Sequence, residues 1–119
     1  MKKTTRKVTI RVESLDSGLE RFRKTWKSGQ ARGEFITFDS VTTLFKTLTA
    51  RRWELVSILQ RNGAMSLRAL AREAGRDVKN VHTDIHVLKE IGLVEDHAKG
   101  GVWVPYNEIE ACFSFRSAA

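Results

Sequence analysis

His82 and His86 stand four residues apart in KNVHTDIHVL (79–88), a spacing that brings two imidazoles to one side of an α-helix. Two chemistries suit such a pair. It supplies two of the nitrogen ligands of a zinc or nickel site, or it presents hydrogen-bonding groups to a polyanion. Asp84 cannot complete a metal site, because it lies roughly 160–200° around the helix from each histidine. A third ligand would have to be His97, Cys112 or a residue of a second subunit. The chain has no C-x-x-C, no H-E-x-x-H and no Cys/His cluster. The expectation is therefore no metal, with a metal-responsive repressor as the least favoured reading. Covalent catalysis fares no better. Cys112 sits in an apolar alternating stretch and is expected to be an inert buried thiol. No G-x-S-x-G is present, and Gly100-Gly101 reads as a turn and not as a phosphate loop. No enzyme activity and no cofactor are expected.

The whole chain sets the frame for that helix. Its 119 residues suit one domain, or one small domain with an appended arm. A single cysteine precludes an internal disulfide and fits a reducing compartment. No apolar run approaches the roughly 20 residues of a membrane span. The basic start MKKTTRK leads into an alternating stretch and not into the apolar core of a signal peptide. A cytoplasmic protein, nucleoid-associated when on DNA, is the expectation. The net charge of +7 and a pI near 10.0 favour a polyanionic partner. That charge is uneven: residues 1–33 hold ten Lys/Arg against three Asp/Glu, whereas residues 66–119 hold seven against eight. The carboxy-terminal half must therefore be judged on where its charges sit.

Three segments are expected. Residues 1–39 form a basic arm followed by strand, helix and strand, residues 40–106 a helical domain with a hairpin, and residues 107–119 a tail. VTIRVE (8–13) alternates with Val8, Ile10 and Val12 on one face, which predicts a strand. Ser17 and Glu20 have capping-box spacing and open a helix with Leu15, Leu19, Phe22 and Trp26 on one stripe. EFITF (34–38) reads as a second strand. Asp39 or Ser40 then caps a helix with Val41, Leu44, Phe45 and Leu48 inward. Thr49 caps the next, with Trp53, Val56 and Leu59 inward and Leu55 and Ile58 widening the face. Ser66 caps a short third helix closed by Gly75, and Asp77 a fourth closed by Gly92. LVED and VWVPY flank HAKGG as a hairpin. IEACFSF (109–115) alternates again, with Ile109, Ala111, Phe113 and Phe115 on one side, which predicts a strand, with a short helix as its rival.

Helix, short helix, Gly-containing turn, longer helix and hairpin make the order of a winged helix–turn–helix, so the expected class is α+β. Leu67, Leu70 and Ala71 are expected to pack on Val81, Ile85 and Leu88. The segments RWELVSIL, SLRALAREAG, V-x-x-D-I-x-x-L and GLVE, in that order, resemble the DNA-binding core of prokaryotic MarR-like and ArsR-like winged-helix regulators over about residues 40–106. The whole chain is similar in organisation to small winged-helix proteins that act as antitoxin and autoregulator beside a toxin gene. That resemblance implies a dimeric repressor with double-stranded DNA, and in some cases a toxin, as partner.

Residue placement can be read independently. With Val81, Ile85 and Leu88 inward, Lys79, Asn80, His82 and Thr83 occupy the outward surface of the first two turns, with His86 next. These are short or flexible donors and acceptors, suited to base edges. Arg76 in the turn is expected to reach phosphate or guanine. Ser66, Arg68 and Arg72 on the preceding helix and Lys99 at the hairpin tip are expected on the backbone. Lys2, Lys3, Arg6 and Lys7 form the expected basic arm. The strands and tail, through Val8, Ile10, Val12, Phe113 and Phe115 with Phe22 and Trp26 above, are expected to form a sheet that dimerises or binds a partner. The functional expectation is a homodimeric autorepressor and antitoxin on an inverted repeat. Its alternative is a winged-helix antitoxin that neutralises a toxin without reading sequence.

Overall fold

Alternation along KVTIRV makes β1 (Lys7–Val12), whose pleat carries Val8 and Ile10 to full burial while Lys7 stays exposed. The computed structural model describes residues 6–13 and 33–115. Phe22 and Trp26, the capping box at 17–20, and Lys2 and Lys3 lie outside those residues. β2 (Glu34–Phe38) runs parallel to β1 in the register Val8↔Glu34, Ile10↔Ile36, Val12↔Phe38. β5 (Glu108–Cys112) runs parallel on β1's other side, with Lys7↔Glu108 and Arg11↔Cys112. The sheet order is β2-β1-β5, so β1 is central and β5 an edge.

Between β2 and β5 the chain makes four helices and a hairpin, which gives an α+β protein. These are α1 (Val41–Thr47), α2 (Ala50–Asn62), α3 (Leu67–Ala74), α4 (Val78–Ile91), β3 (Glu95–Asp96) and β4 (Val102–Trp103). The chain divides into two units, each discontinuous in sequence. One comprises Met1–Arg6 with Thr47–Asn107, and the other Lys7–Lys46 with Glu108–Ala119.

In the helical unit, local chemistry starts and stops each helix. The Thr49 hydroxyl accepts from the Arg52 N–H at 3.3 Å, and the Ser66 hydroxyl from the Ala69 N–H at 3.1 Å. Gly75 ends α3 in the left-handed region (φ 67°), where its own N–H and that of Arg76 satisfy the carbonyls of Arg72 and Ala71. Leu55, Val56, Ile58 and Leu59 of α2 are buried, as are Leu70 and Ala71 of α3 and Val81, Ile85 and Leu88 of α4. Leu93, Val94, Val102, Val104 and Tyr106 complete that core. β3 pairs antiparallel with β4, and Met65, between α2 and α3, adds a rung by exchanging hydrogen bonds with Val102 at 2.8 and 2.9 Å. Gly101 permits that approach, since a Cβ there would stand 2.6 Å from the Met65 carbonyl oxygen.

Four expectations change. Asp77 occupies the position before α4 in extended conformation, but its side chain makes no capping hydrogen bond. Phe45 is 58% exposed and not inward, its ring meeting Phe113 edge-on at 5.6 Å. β5 stops at Cys112, so Phe113 and Phe115 lie beyond the ladder and are exposed, and Val12 is only half-buried. Cys112 is itself exposed, as are Glu108, Glu110 and Ala111 of the same edge strand, in which only Ile109 is half-buried.

Candidate nucleic-acid interface

α4 is rotationally fixed by Val81, Ile85 and Leu88, whose exposures are 0%, 3% and 0%. With those three inward, Lys79, Asn80, His82, Thr83 and His86 are all exposed. Their side chains are mostly uncommitted. The Thr83 hydroxyl donates to the Lys79 carbonyl at 3.2 Å, and His86 Nε2 stands 2.9 Å from a Glu90 carboxylate oxygen. That last pair is about two-thirds exposed on both sides, so it holds the imidazole only weakly. Glu90 thus reaches the far end of the face, one turn from His86. Lys79, Asn80 and His82 make no side-chain hydrogen bond or ion pair among the described residues.

The residues flanking α4 divide into free and committed groups. Arg68 and Arg72 on α3 are exposed and without a carboxylate partner among the described residues. Ser66 spends its acceptor on the helix cap. Lys99 is exposed at the hairpin tip, where its backbone N–H donates to His97 Nδ1 at 3.1 Å. The His97 ring packs edge-on against Trp103 at 4.9 Å. Arg6 and Lys7, expected on a DNA arm, are instead engaged with protein. The Arg6 guanidinium lies 4.8 Å over the Tyr106 ring, and the Arg6 backbone N–H donates to Asn107 Oδ1 at 2.9 Å. Lys7 Nζ reaches Glu110 at 3.1 Å, and the hydrogen bond and charge of Glu110, helped by Glu108, raise its pKa above the usual lysine range. No group of three or more His, Cys, Asp or Glu that could hold a metal ion occurs among the described residues.

Arg76 departs most from expectation. Its guanidinium turns back to Asp84, Nη2 lying 2.6 Å from Oδ2, and only 13% of its side chain is exposed. The other carboxylate oxygen accepts from Arg52 Nε at 2.9 Å, and Arg52 Nη1 donates to the Thr47 carbonyl at 2.9 Å. Burial pushes the Asp84 carboxyl upward, but the hydrogen bonds and charges of Arg76 and Arg52 outweigh it and hold the pKa below the usual carboxylate range. Arg76 Nε and Nη1 are buried with no acceptor among the described residues, so Asp84 is the main compensation for that buried charge.

This Arg52–Asp84–Arg76 cluster is what sequence reasoning missed. One signal was present. Asp84 lies about 70° from the buried direction of α4, close enough to the core to need a cation. Its partner on α2, thirty-two residues upstream, had no local signature. Beside the cluster is a notch of about 300 Å³ between the start of α2 and the first turns of α4, lined by Thr49, Arg51 and Arg52 on one side and Arg76, Asn80, Thr83 and Asp84 on the other.

An α+β chain whose exposed helix face is free of carboxylates until Glu90 defines the site in general terms. The chain belongs to the HVO_A0114 family, which matches residues 47–111, more than half of its length. The match spans α2 through β4 and most of β5, and so includes the whole α4 face. No curated protein and no solved structure matches the chain.

Proposed function

We propose that residues 40–106 form a winged helix–turn–helix that binds double-stranded DNA, with α3 and α4 as the helical pair, α4 as recognition helix and the β3–β4 hairpin as wing. The observation that carries this reading is the outward face of α4. It presents Lys79, Asn80, His82, Thr83 and His86 together, exposed, above a buried seam that fixes their direction. Further support comes from the Met65–Val102 rung, which ties the segment before α3 to the hairpin. The free guanidiniums of Arg68 and Arg72 and the exposed Lys99 would meet phosphates on either side of the groove.

On this reading the protein acts as a homodimer on an inverted repeat, since one such module makes few base contacts. Bound over its own promoter it represses by excluding polymerase, with no cofactor chemistry. A second reading is favoured by one observation: Phe45, Phe113 and Phe115 form an exposed edge-to-face aromatic series in the sheet unit, which suits a protein partner such as a toxin. Selection from a random duplex pool, followed by gel shift against the enriched and a scrambled sequence, tests the first reading. Enrichment of a sequence with two related half-sites supports it. A pool that stays random, with equal shifts for both duplexes, overturns it in favour of a protein partner.

A further inference from the structure

The notch between α2 and α4 has no apolar side chain among its lining residues. Three guanidiniums, those of Arg51, Arg52 and Arg76, meet the single carboxylate of Asp84 there, leaving a surplus of two positive charges. Asp84 uses each oxygen on a different arginine, so two guanidiniums are set at fixed angles before anything binds. Arg51 makes no ion pair or side-chain hydrogen bond among the described residues, and neither does Asn80. The first turn of α2 carries no acidic residue, and its Ala50 and Arg51 N–H groups find no acceptor among the described residues.

We infer that this notch is an oxyanion site that takes a phosphate group, with Arg51 and Asn80 as direct ligands and Arg52 and Arg76 as a preset cationic wall. The site stands on its own geometry and rests on the DNA reading only for the source of the phosphate, which would be a backbone phosphodiester. Asn80 and Thr83 belong both to the notch and to the outward face of α4. A phosphate seated there would therefore fix the register of the recognition helix along one strand. His82 and His86 lie around the opposite flank of α4, free for the other side of the groove. Arg51 was not among the residues expected from sequence to touch DNA, because nothing local marks a helix start as neighbour to another helix's first turns.

Two measurements on the full chain test this. The first is duplex affinity against salt for wild type, Arg51→Ala and Arg51→Lys. The slope of log K against log salt should flatten by about 0.9 for each copy of the site engaged in Arg51→Ala, and recover in Arg51→Lys. The loss should be equal for enriched and scrambled duplexes, since a phosphate contact carries no base information. The second is the backbone amide spectrum during titration with inorganic phosphate against chloride at constant ionic strength. Saturable shifts at Ala50, Arg51 and Asn80 are expected, and their loss in Arg51→Ala. Phosphate shifts without any duplex binding, or with an unchanged salt slope, support the site and assign it to a free phosphate ester. Duplex binding with an unchanged slope and no phosphate shift overturns the site and leaves the DNA reading standing. Neither duplex binding nor phosphate shifts overturns both.

Discussion

Arg72 and Arg76 stand one helical turn apart in sequence, on either side of Gly75, yet they do different work. Arg72 is exposed and without a partner among the described residues, whereas Arg76 is 13% exposed and locked to Asp84. Both are arginines beside the helix proposed to read DNA, so residue type and position alone do not separate them. What separates them is the turn. Gly75 in the left-handed region reverses the chain, and the residue after it points back toward α2 and α4. A free guanidinium can be spent on a phosphate. A paired, buried one positions its neighbours and cannot leave without exposing a carboxylate.

The sharpest way to break this comparison is Asp84→Ala. Removing the only carboxylate leaves two mostly buried guanidiniums uncompensated, and we expect a loss of roughly 3–5 kcal/mol, seen as a large fall in melting temperature. Arg72→Ala should change stability by less than about 0.5 kcal/mol while weakening duplex binding. If the two variants melt alike, the cluster is not structural. Replacing Arg52, Asp84 and Arg76 together by apolar residues of similar volume should recover most of the stability, since the cost lies in the unpaired charge and not in the loss of the cluster.

A second contrast lies within the sheet unit. Ile10, fully buried on the central strand, should cost about 2–5 kcal/mol when cut to alanine. Phe115, 80% exposed, should cost less than about 0.5 kcal/mol despite its larger side chain. Denaturant midpoints of the two variants decide this, and a large loss for Phe115→Ala in the dilute protein would mean that the aromatic series is covered.

On the α4 face, Lys79→Ala should lose about 1–3 kcal/mol of discrimination between enriched and scrambled duplexes. Asn80→Ala, at the neighbouring position in the notch, should instead weaken both duplexes alike. A uniform loss for Lys79→Ala would assign that residue to a phosphate as well.

The smallest effect is in pH. Asp84 has a lowered folded pKa, so it contributes stability that is complete above its unfolded value of about 3.9 and is lost as pH falls through the lower folded value. Melting temperature should therefore stay flat through mild acid as far as this carboxyl is concerned, and drop below about pH 4. Asp84→Asn should lose that component of the acid slope. An identical acid limb in wild type and variant would contradict the pairing.

These contrasts also show what could be read from residues alone. Caps and stops were local and legible: Thr49, Ser66, Gly75 and Gly92 bound their helices as the sequence implies. The inward set Val81, Ile85 and Leu88 followed from a 3.6-residue period, and the outward set followed from it in turn. Long-range choices were not legible. β1 pairs parallel with both β2 and β5, and β5 follows β2 by some seventy residues, a register that no local pattern specifies. The apolar alternation of IEACFSF correctly marked a strand but not where the ladder ends, so Phe113, Phe115 and Cys112 came out exposed. Arg6, Lys7 and Arg76 were basic residues expected on DNA, and each met a protein partner that only the tertiary fold brings near.

The central claim is that the outward face of α4 meets DNA, and the amide spectrum of the full protein with an enriched duplex tests it most directly. The expected result is perturbation of Lys79 through His86, accompanied by Arg68, Arg72 and the hairpin tip at Lys99. Perturbation confined to Phe45, Phe113 and Phe115, with the α4 amides unmoved, would contradict it.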